Sequence, residues 1–212
     1  MSLASAPILV RPPDARALYV LAHGAGAGMR HRFLQEMADA LAAQAIATFR
    51  FEFPYATAGR KRPDPPALLE ATVREAVAAA QDAGRGLPIL AGGKSMGGRM
   101  TTQAEARDPI DGVRGVVLLG FPLHAAGAPS SARGEHLVRV GVPALFLQGT
   151  RDKLTDLALL RPLLPPSAEL RVIDGADHGF HVPKSSGKSD ADVVRELAAE
   201  IAAFAARIGG GG

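Results

Sequence analysis

Apolar positions along this chain switch repeatedly between two rhythms. Continuous runs of five to eight residues, the mark of strands buried on both faces, alternate with stretches in which apolar residues recur every three or four positions, the mark of amphipathic helices. Ala6 to Val10 reads as an edge strand ended by Arg11-Pro12-Pro13-Asp14, and Ala17 to Ala22 as a buried strand that breaks at the glycine-rich His23-Gly24-Ala25-Gly26-Ala27-Gly28. Phe33, Met37 and Leu41 define a helix over His31 to Gln44; Ala45 to Phe53 is the next strand, stopped by Pro54. Leu69, Val73, Ala76, Val77 and Ala80 mark a helix from Pro66 to Ala83, with Gly84 beyond its end. Ile89 to Ala91 is a short strand running into a helix, Val113 to Leu119 a further strand, and Leu123 to Val140 a loosely patterned connection with room for one helical turn. Ala144 to Leu147 and Glu169 to Ile173 are the last strands, separated by a short helix from Leu157 to Leu164. The final helix opens with Ser189 and Asp192 spaced as a capping box and carries the stripe Val194, Leu197, Ile201, Phe204 and Ile208. This alternation predicts a three-layer α/β domain with a mainly parallel sheet of six to seven strands and right-handed crossovers.

In such sheets function gathers in the loops beyond the carboxyl ends of the strands. Four of those loops carry unusual residues: His23 to Gly28, Gly93 to Gly97, Gly149 to Asp152 and Asp174 to Phe180. Gly93-Lys94-Ser95-Met96-Gly97 is a G-x-S-x-G corner between strand and helix. A serine at the tip of so sharp a turn sits in strained backbone, and a Cβ two residues to either side would collide, which explains glycine at both places.

A serine hydroxyl is a weak nucleophile until a base takes its proton, and the base needs a carboxylate to fix its tautomer. His178, after the last strand, is the expected base, and Asp152, after the preceding strand, the expected orienter. The order Ser95, Asp152, His178 is the one used by strand-corner nucleophiles of this kind. Asp156, Asp174 and Asp177 compete with Asp152, and His181 with His178. The loop after the first buried strand should supply a backbone N–H from Ala25 to an oxyanion hole, with the second N–H from Met96 just past the serine. His23 reads as structural.

Composition narrows the alternatives. A chain of 212 residues fits one domain, expected over 1–208, with 209–212 as a flexible glycine tail. With no cysteine, disulfides, thiolate catalysis and cysteine-based zinc sites are out. A formal charge of +3 is too small to point to nucleic acid, and the Arg30-His31-Arg32 and Arg60-Lys61-Arg62 runs read as solvated surface. Met1 to Val10 lacks a basic segment followed by an apolar one, and no apolar run approaches membrane-spanning length, so a cytoplasmic protein is expected. Gly93-Lys94-Ser95 mimics the end of a phosphate-binding loop, but Pro88 stands where its first glycine belongs. Gly24-Ala25-Gly26 mimics a dinucleotide fingerprint, with Glu52 as ribose acid, but Met29 replaces the third glycine. His178-x-x-His181 with Asp177 lacks the helix that would make it a metal site. Neither cofactor nor metal is expected.

The motifs resemble the α/β-hydrolase superfamily in its compact dienelactone-hydrolase-like branch. The residues carrying the resemblance are His23 to Ala27, Phe51-Glu52-Phe53-Pro54-Tyr55, Gly93 to Arg99, Gly120-Phe121-Pro122-Leu123-His124, Gln148 to Asp152 and Asp177 to Phe180. Together they are similar to a group of small bacterial hydrolases related to a subunit of a eukaryotic histone-acetylating complex. The resemblance runs from Ala17 to Ile208 and implies an α/β-hydrolase fold without a lid domain. It implies Ser95 as nucleophile, Asp152 as acid and His178 as base, acting on a small-molecule ester. Dienelactone hydrolases proper use cysteine where this chain has Ser95, so their substrate does not carry over. It further implies that the first one or two strands of the sheet are reduced. A thioesterase or amidase using the same residues, or a binding protein on a hydrolase fold, are the alternatives left open. Lys94, Arg99 and the Arg30-His31-Arg32 run near the mouth would favour anionic groups.

Overall fold

The computed structural model describes residues 3–209. Seven strands form one sheet in the order β1-β3-β2-β4-β5-β6-β7: β1 (Ile8–Val10), β2 (Ala17–Ala22), β3 (Ile46–Phe51), β4 (Ile89–Lys94), β5 (Val113–Leu119), β6 (Ala144–Gly149) and β7 (Ala168–Ile173). Only β1 is antiparallel, paired with β3 from Ile8 opposite Arg50 to Val10 opposite Thr48; every other neighbour is parallel. The three-residue β1 is the edge strand of the sheet.

The helices are α1 (Arg32–Ala42), α2 (Pro54–Thr57), α3 (Pro66–Gly84), α4 (Met96–Arg107), α5 (Leu157–Leu160) and α6 (Asp190–Gly209). The strand pleat explains the layers. In β2, Leu18, Val20 and Ala22 face α3 and α4, while Ala17, Tyr19 and Leu21 face α1 and α6. With both faces covered, β2 has to be apolar throughout, which is the continuous run seen in the sequence. On one side the core holds Leu69, Val73, Ala76 and Val77 of α3 with Met100 and Ala104 of α4; on the other, Leu34, Met37 and Leu41 of α1 with Leu197, Ile201 and Phe204 of α6.

Several boundaries move from their sequence-based positions, each for a local reason. Pro54 does not merely stop β3; it opens α2 at its first turn, where a missing N–H is harmless. Gly84 lies inside α3 rather than beyond it: the left-handed cap is Arg85 at φ 47°, and the glycine is explained instead by Leu18, which a Cβ there would meet at 3.0 Å. The stripe of α1 is Leu34, Met37, Ala38 and Leu41, which leaves Phe33 half-buried at its edge. The expected Leu157–Leu164 helix is α5 followed by a 3₁₀ turn at Arg161–Leu163. The link from β5 to β6 holds two 3₁₀ turns, Ala132–Gly134 and Leu137–Arg139, and among the described residues no lid helix crosses above the sheet. Of the expected glycine tail, Gly209 closes α6, and residues 210–212 lie outside those described. Ser189 and Asp192 do form the capping box, the Ser189 hydroxyl and N–H both donating to Asp192 and the Asp192 N–H donating back. Among the described residues no helix is long and apolar enough to cross a membrane.

Candidate active site

At the carboxyl end of β4 the chain turns into α4 through Ser95, a non-glycine residue held at φ 51°, ψ −117°. Such backbone is disfavoured by about 1–3 kcal/mol and persists only where its surroundings enforce it. They do so through β2. A Cβ on Gly93 would fall 2.2 Å from the Ala22 carbonyl oxygen, and one on Gly97 would fall 2.7 Å from Ala22 Cβ and from the Ala22 and His23 carbonyl oxygens. The two glycines therefore let the corner press onto the end of β2, and the collisions they avoid are with that strand rather than within the turn. Gly24 in the following loop lies close enough that its Cβ would be 3.5 Å from Ser95 Cβ. The loop carrying Ala25 is thus brought beside the serine, and both residues line the same cavity.

The three residues singled out as a catalytic set come together. Ser95 Oγ is 2.9 Å from His178 Nε2, and His178 Nδ1 is 2.8 Å from Asp152 Oδ2. The order of donors follows from chemistry. An ionised carboxylate only accepts, so Nδ1 carries the proton and Nε2 is left with the lone pair that accepts from the Ser95 hydroxyl. A hydroxyl held in this way can surrender its proton to the ring as it attacks an electrophile.

Asp152 is built in more firmly than its motif indicated. Its side chain is fully buried. Oδ2 accepts a second bond from Gln148 Nε2 at 2.6 Å, and Oδ1 accepts the Leu154 N–H at 2.8 Å. Gln148 is in turn fixed by the Phe121 N–H, which donates to its Oε1 at 2.9 Å. Burial by itself would raise the Asp152 pKa, but the bond to and charge of His178, the Leu154 N–H and the Lys94 ammonium together lower it below the usual carboxylate value. Gln148 is a residue whose role the sequence reading missed. The available signal was an amide directly after the apolar run Ala144 to Leu147, four residues before an acid.

The rivals are occupied elsewhere. Asp156 caps α5 by accepting the Ala158 N–H, Asp174 receives the Thr150 hydroxyl, and Asp177 accepts the N–H groups of Gly179 and His181. His181 is exposed and bonded to Asp190 at 2.6 Å, which raises its pKa. Among the described residues no cluster of three or more His, Asp or Glu is arranged to hold a metal ion. His23 is fully buried; its Nδ1–H donates to the Gly24 carbonyl while Nε2 accepts the Phe53 N–H, and loss of solvent depresses its pKa. Glu52, the would-be ribose acid, accepts the Met29 N–H at 2.7 Å and so pins the far end of the glycine-rich loop.

Lys94 does not reach for the mouth as its position beside the serine implied. Its stem lines the cavity, but the ammonium turns inward, donates to the His178 carbonyl at 2.5 Å and lies 5.4 Å from the centre of the Phe180 ring. Loss of solvent lowers its pKa to about 8, against the opposing attraction of Asp152 and Asp177. It ties the strand before Ser95 to the loop that carries His178. Met96 opens α4, so its N–H belongs to the first turn and has no intrahelical partner.

Comparison with known proteins identifies the family and the fold. Residues 15–206 match the alpha/beta hydrolase domain family. Among solved structures, the chain is similar to a dienelactone hydrolase from Anabaena variabilis at 22% identity, covering 92% of this chain and 88% of that one with a TM-score of 0.72. An α/β serine hydrolase homologue from Coxiella burnetii matches at 19% identity, 92% and 90% coverage and a TM-score of 0.72. A lidless α/β serine hydrolase from Xanthomonas campestris matches at 17% identity, 93% and 88% coverage and a TM-score of 0.70. The family match runs from the residues just before β2 to the last turns of α6 and takes in every loop described above, so this chain belongs to the alpha/beta hydrolase domain family.

Proposed function

We propose that this protein is a serine hydrolase that cleaves carboxylic esters through an acyl-enzyme. The observation that carries the reading is the unbroken hydrogen-bond chain from Ser95 Oγ through the His178 ring to the buried Asp152 carboxylate. In the first half-reaction, Ser95 Oγ attacks the ester carbonyl carbon while its proton passes to His178 Nε2. The negative charge that develops on the carbonyl oxygen is received by the N–H groups of Ala25 and Met96. Asp152 holds Nδ1–H in place and balances the imidazolium. The tetrahedral species then collapses: the carbon–oxygen bond to the alcohol breaks, and His178 returns its proton to the departing oxygen. In the second half, water enters, gives a proton to His178 and releases the carboxylic acid, and Ser95 regains its proton. A neighbour described as a dienelactone hydrolase and others described as serine hydrolases carry this fold, which supports hydrolysis as the class of reaction.

The test is turnover of p-nitrophenyl butyrate by the purified protein and by the Ser95→Ala and His178→Ala variants. The expected loss in kcat is on the order of 10⁴ to 10⁶-fold for each. Ester turnover that survives Ser95→Ala rules out this serine; tight binding of a peptide or protein partner with no turnover favours a scaffold on the same fold.

A further inference from the structure

The cavity that begins at Ser95 does not end there. It continues as a groove between α1 and the start of α6, with a total volume of about 1080 Å³. Its near end is marked by Phe180, two residues past His178, on which Phe33 of α1 is stacked with ring centres 5.7 Å apart. From there the groove follows α1 past Ala40 and Ala43, with Ala191 and Val194 of α6 on the opposite wall. Phe33 and Ala40 on α1, with Ala43 just past its end, form a second set of small or apolar positions beside the buried stripe of Leu34, Met37, Ala38 and Leu41, with Glu36 and Gln44 between and beyond them. A surface helix ordinarily carries polar residues at such positions. Here Phe33, Ala40 and Ala43 are small or apolar and break the run of polar residues Arg32, Glu36, Asp39 and Gln44.

The cations along the groove are already engaged: Arg32 is paired with Glu36 at 2.7 Å, His181 with Asp190 at 2.6 Å and Arg195 with Asp192, and His31 accepts the Phe33 N–H. Asp39, bonded to the Gln35 amide, keeps its negative charge. Lys94, next to Ser95 in the chain, donates to the His178 carbonyl. An anionic substrate would find no unpaired cation among the described residues lining the groove, and would meet the Asp39 carboxylate. A neutral apolar chain displaces only water from the floor.

We infer that the groove between α1 and α6 is the subsite for an extended, unbranched apolar chain of the ester substrate, so that the preferred substrates are medium-chain rather than short or anionic esters. The inference rests on the hydrolase reading of Ser95. The stretch from Phe33 to Ala43, the cap of α1, is about 15 Å long, which accommodates an extended chain of roughly eight to twelve carbons. Full burial is worth about a four-fold gain per methylene; in a groove open along one side the gain should be about two-fold.

The experiment measures kcat/KM for p-nitrophenyl esters from acetate to octanoate, and takes the octanoate-to-acetate ratio within each protein, so that the fraction folded cancels. The wild-type ratio is expected to be about fifty. Ala40→Trp and Ala191→Trp, which fill the groove from opposite walls, should each bring it below about five. Ala203→Trp, on the exposed face of α6, should leave it unchanged. A wild-type ratio near or below one overturns the inference, as does a ratio that neither groove variant alters; in both cases ester hydrolysis at Ser95 still stands. Absence of turnover on every chain length, together with failure of a fluorophosphonate to label Ser95, removes the hydrolase reading itself and the subsite with it.

Discussion

Replacing Asp152 with Asn changes the identity of one atom and almost no volume, yet the surrounding bonds determine which atom must change. The Leu154 N–H points at Oδ1 from 2.8 Å, so the amide oxygen of the new side chain has to stay there. Its NH₂ then occupies the place of Oδ2, where Gln148 Nε2 already donates from 2.6 Å and His178 Nδ1–H from 2.8 Å. Gln148 is not free to turn over, because its oxygen receives the Phe121 N–H at 2.9 Å. The imidazole has to give way. Its Nδ1 becomes the acceptor, the proton moves to Nε2, and no lone pair remains to take the proton of Ser95. Losing the tautomer alone is worth about 10⁴-fold in kcat in serine enzymes built on the same chemistry. Two buried NH₂ groups facing each other add a stability loss of about 1–3 kcal/mol. The assay is kcat and KM on p-nitrophenyl butyrate beside urea unfolding, so that rate and fold are read separately. A fall in kcat of less than about ten-fold in a folded Asp152→Asn protein, or an effect confined to KM, would refute the reasoning.

Two further perturbations follow from the packing of the same corner. Lys94→Met should stabilise the fold near neutral pH: a pKa lowered from 10.5 to about 8 corresponds to about 3 kcal/mol against the buried ammonium, offset in part by the lost bond to His178, for a net gain of about 1–2 kcal/mol. The unfolded chain binds the extra proton between pH 8 and 10.5, so wild-type stability should rise through that window and the advantage of Lys94→Met should vanish above it; urea midpoints at pH 7 and pH 10.5 check this, and a gap that widens with pH contradicts it. The same variant should lose activity, because the His178 loop is no longer tied to β4. Gly97→Ala would put a methyl group 2.7 Å from backbone oxygens of Ala22 and His23, which cannot retreat, and should cost about 2–3 kcal/mol; an unchanged melting temperature would show that the corner has more slack than its geometry implies.

Much of this molecule was legible in the chain, because its parallel sheet demands buried runs. β2 and β5 show almost no polar residue in the sequence and are covered on both faces in the structure. The serine corner was legible for a similar reason: Gly93 and Gly97 are required by backbone that passes within van der Waals range, and a steric demand of that kind leaves a mark on residue type. What remained hidden depends on direction rather than identity. Nothing in the sequence distinguishes a Lys94 that points at a substrate from one that bonds the His178 carbonyl. Phe33 read as core because a repeat of four residues drifts around a helix of 3.6 per turn, which carries it from the buried stripe to the edge of the groove. Gln148 passed unnoticed since its role depends on the Phe121 N–H, 27 residues earlier in the chain, which fixes the amide so that its NH₂ faces Asp152.

The central claim is that the Ser95 hydroxyl, activated by His178, attacks an electrophilic centre. Its most direct test is exposure to a fluorophosphonate followed by tryptic digestion and mass mapping. The account predicts one adduct, on the peptide 95–99 released by cleavage after Lys94 and Arg99. It further predicts no adduct in Ser95→Ala and labelling slowed by several orders of magnitude in His178→Ala. An adduct on any other residue, or labelling at Ser95 that proceeds at the same rate without His178, would contradict it.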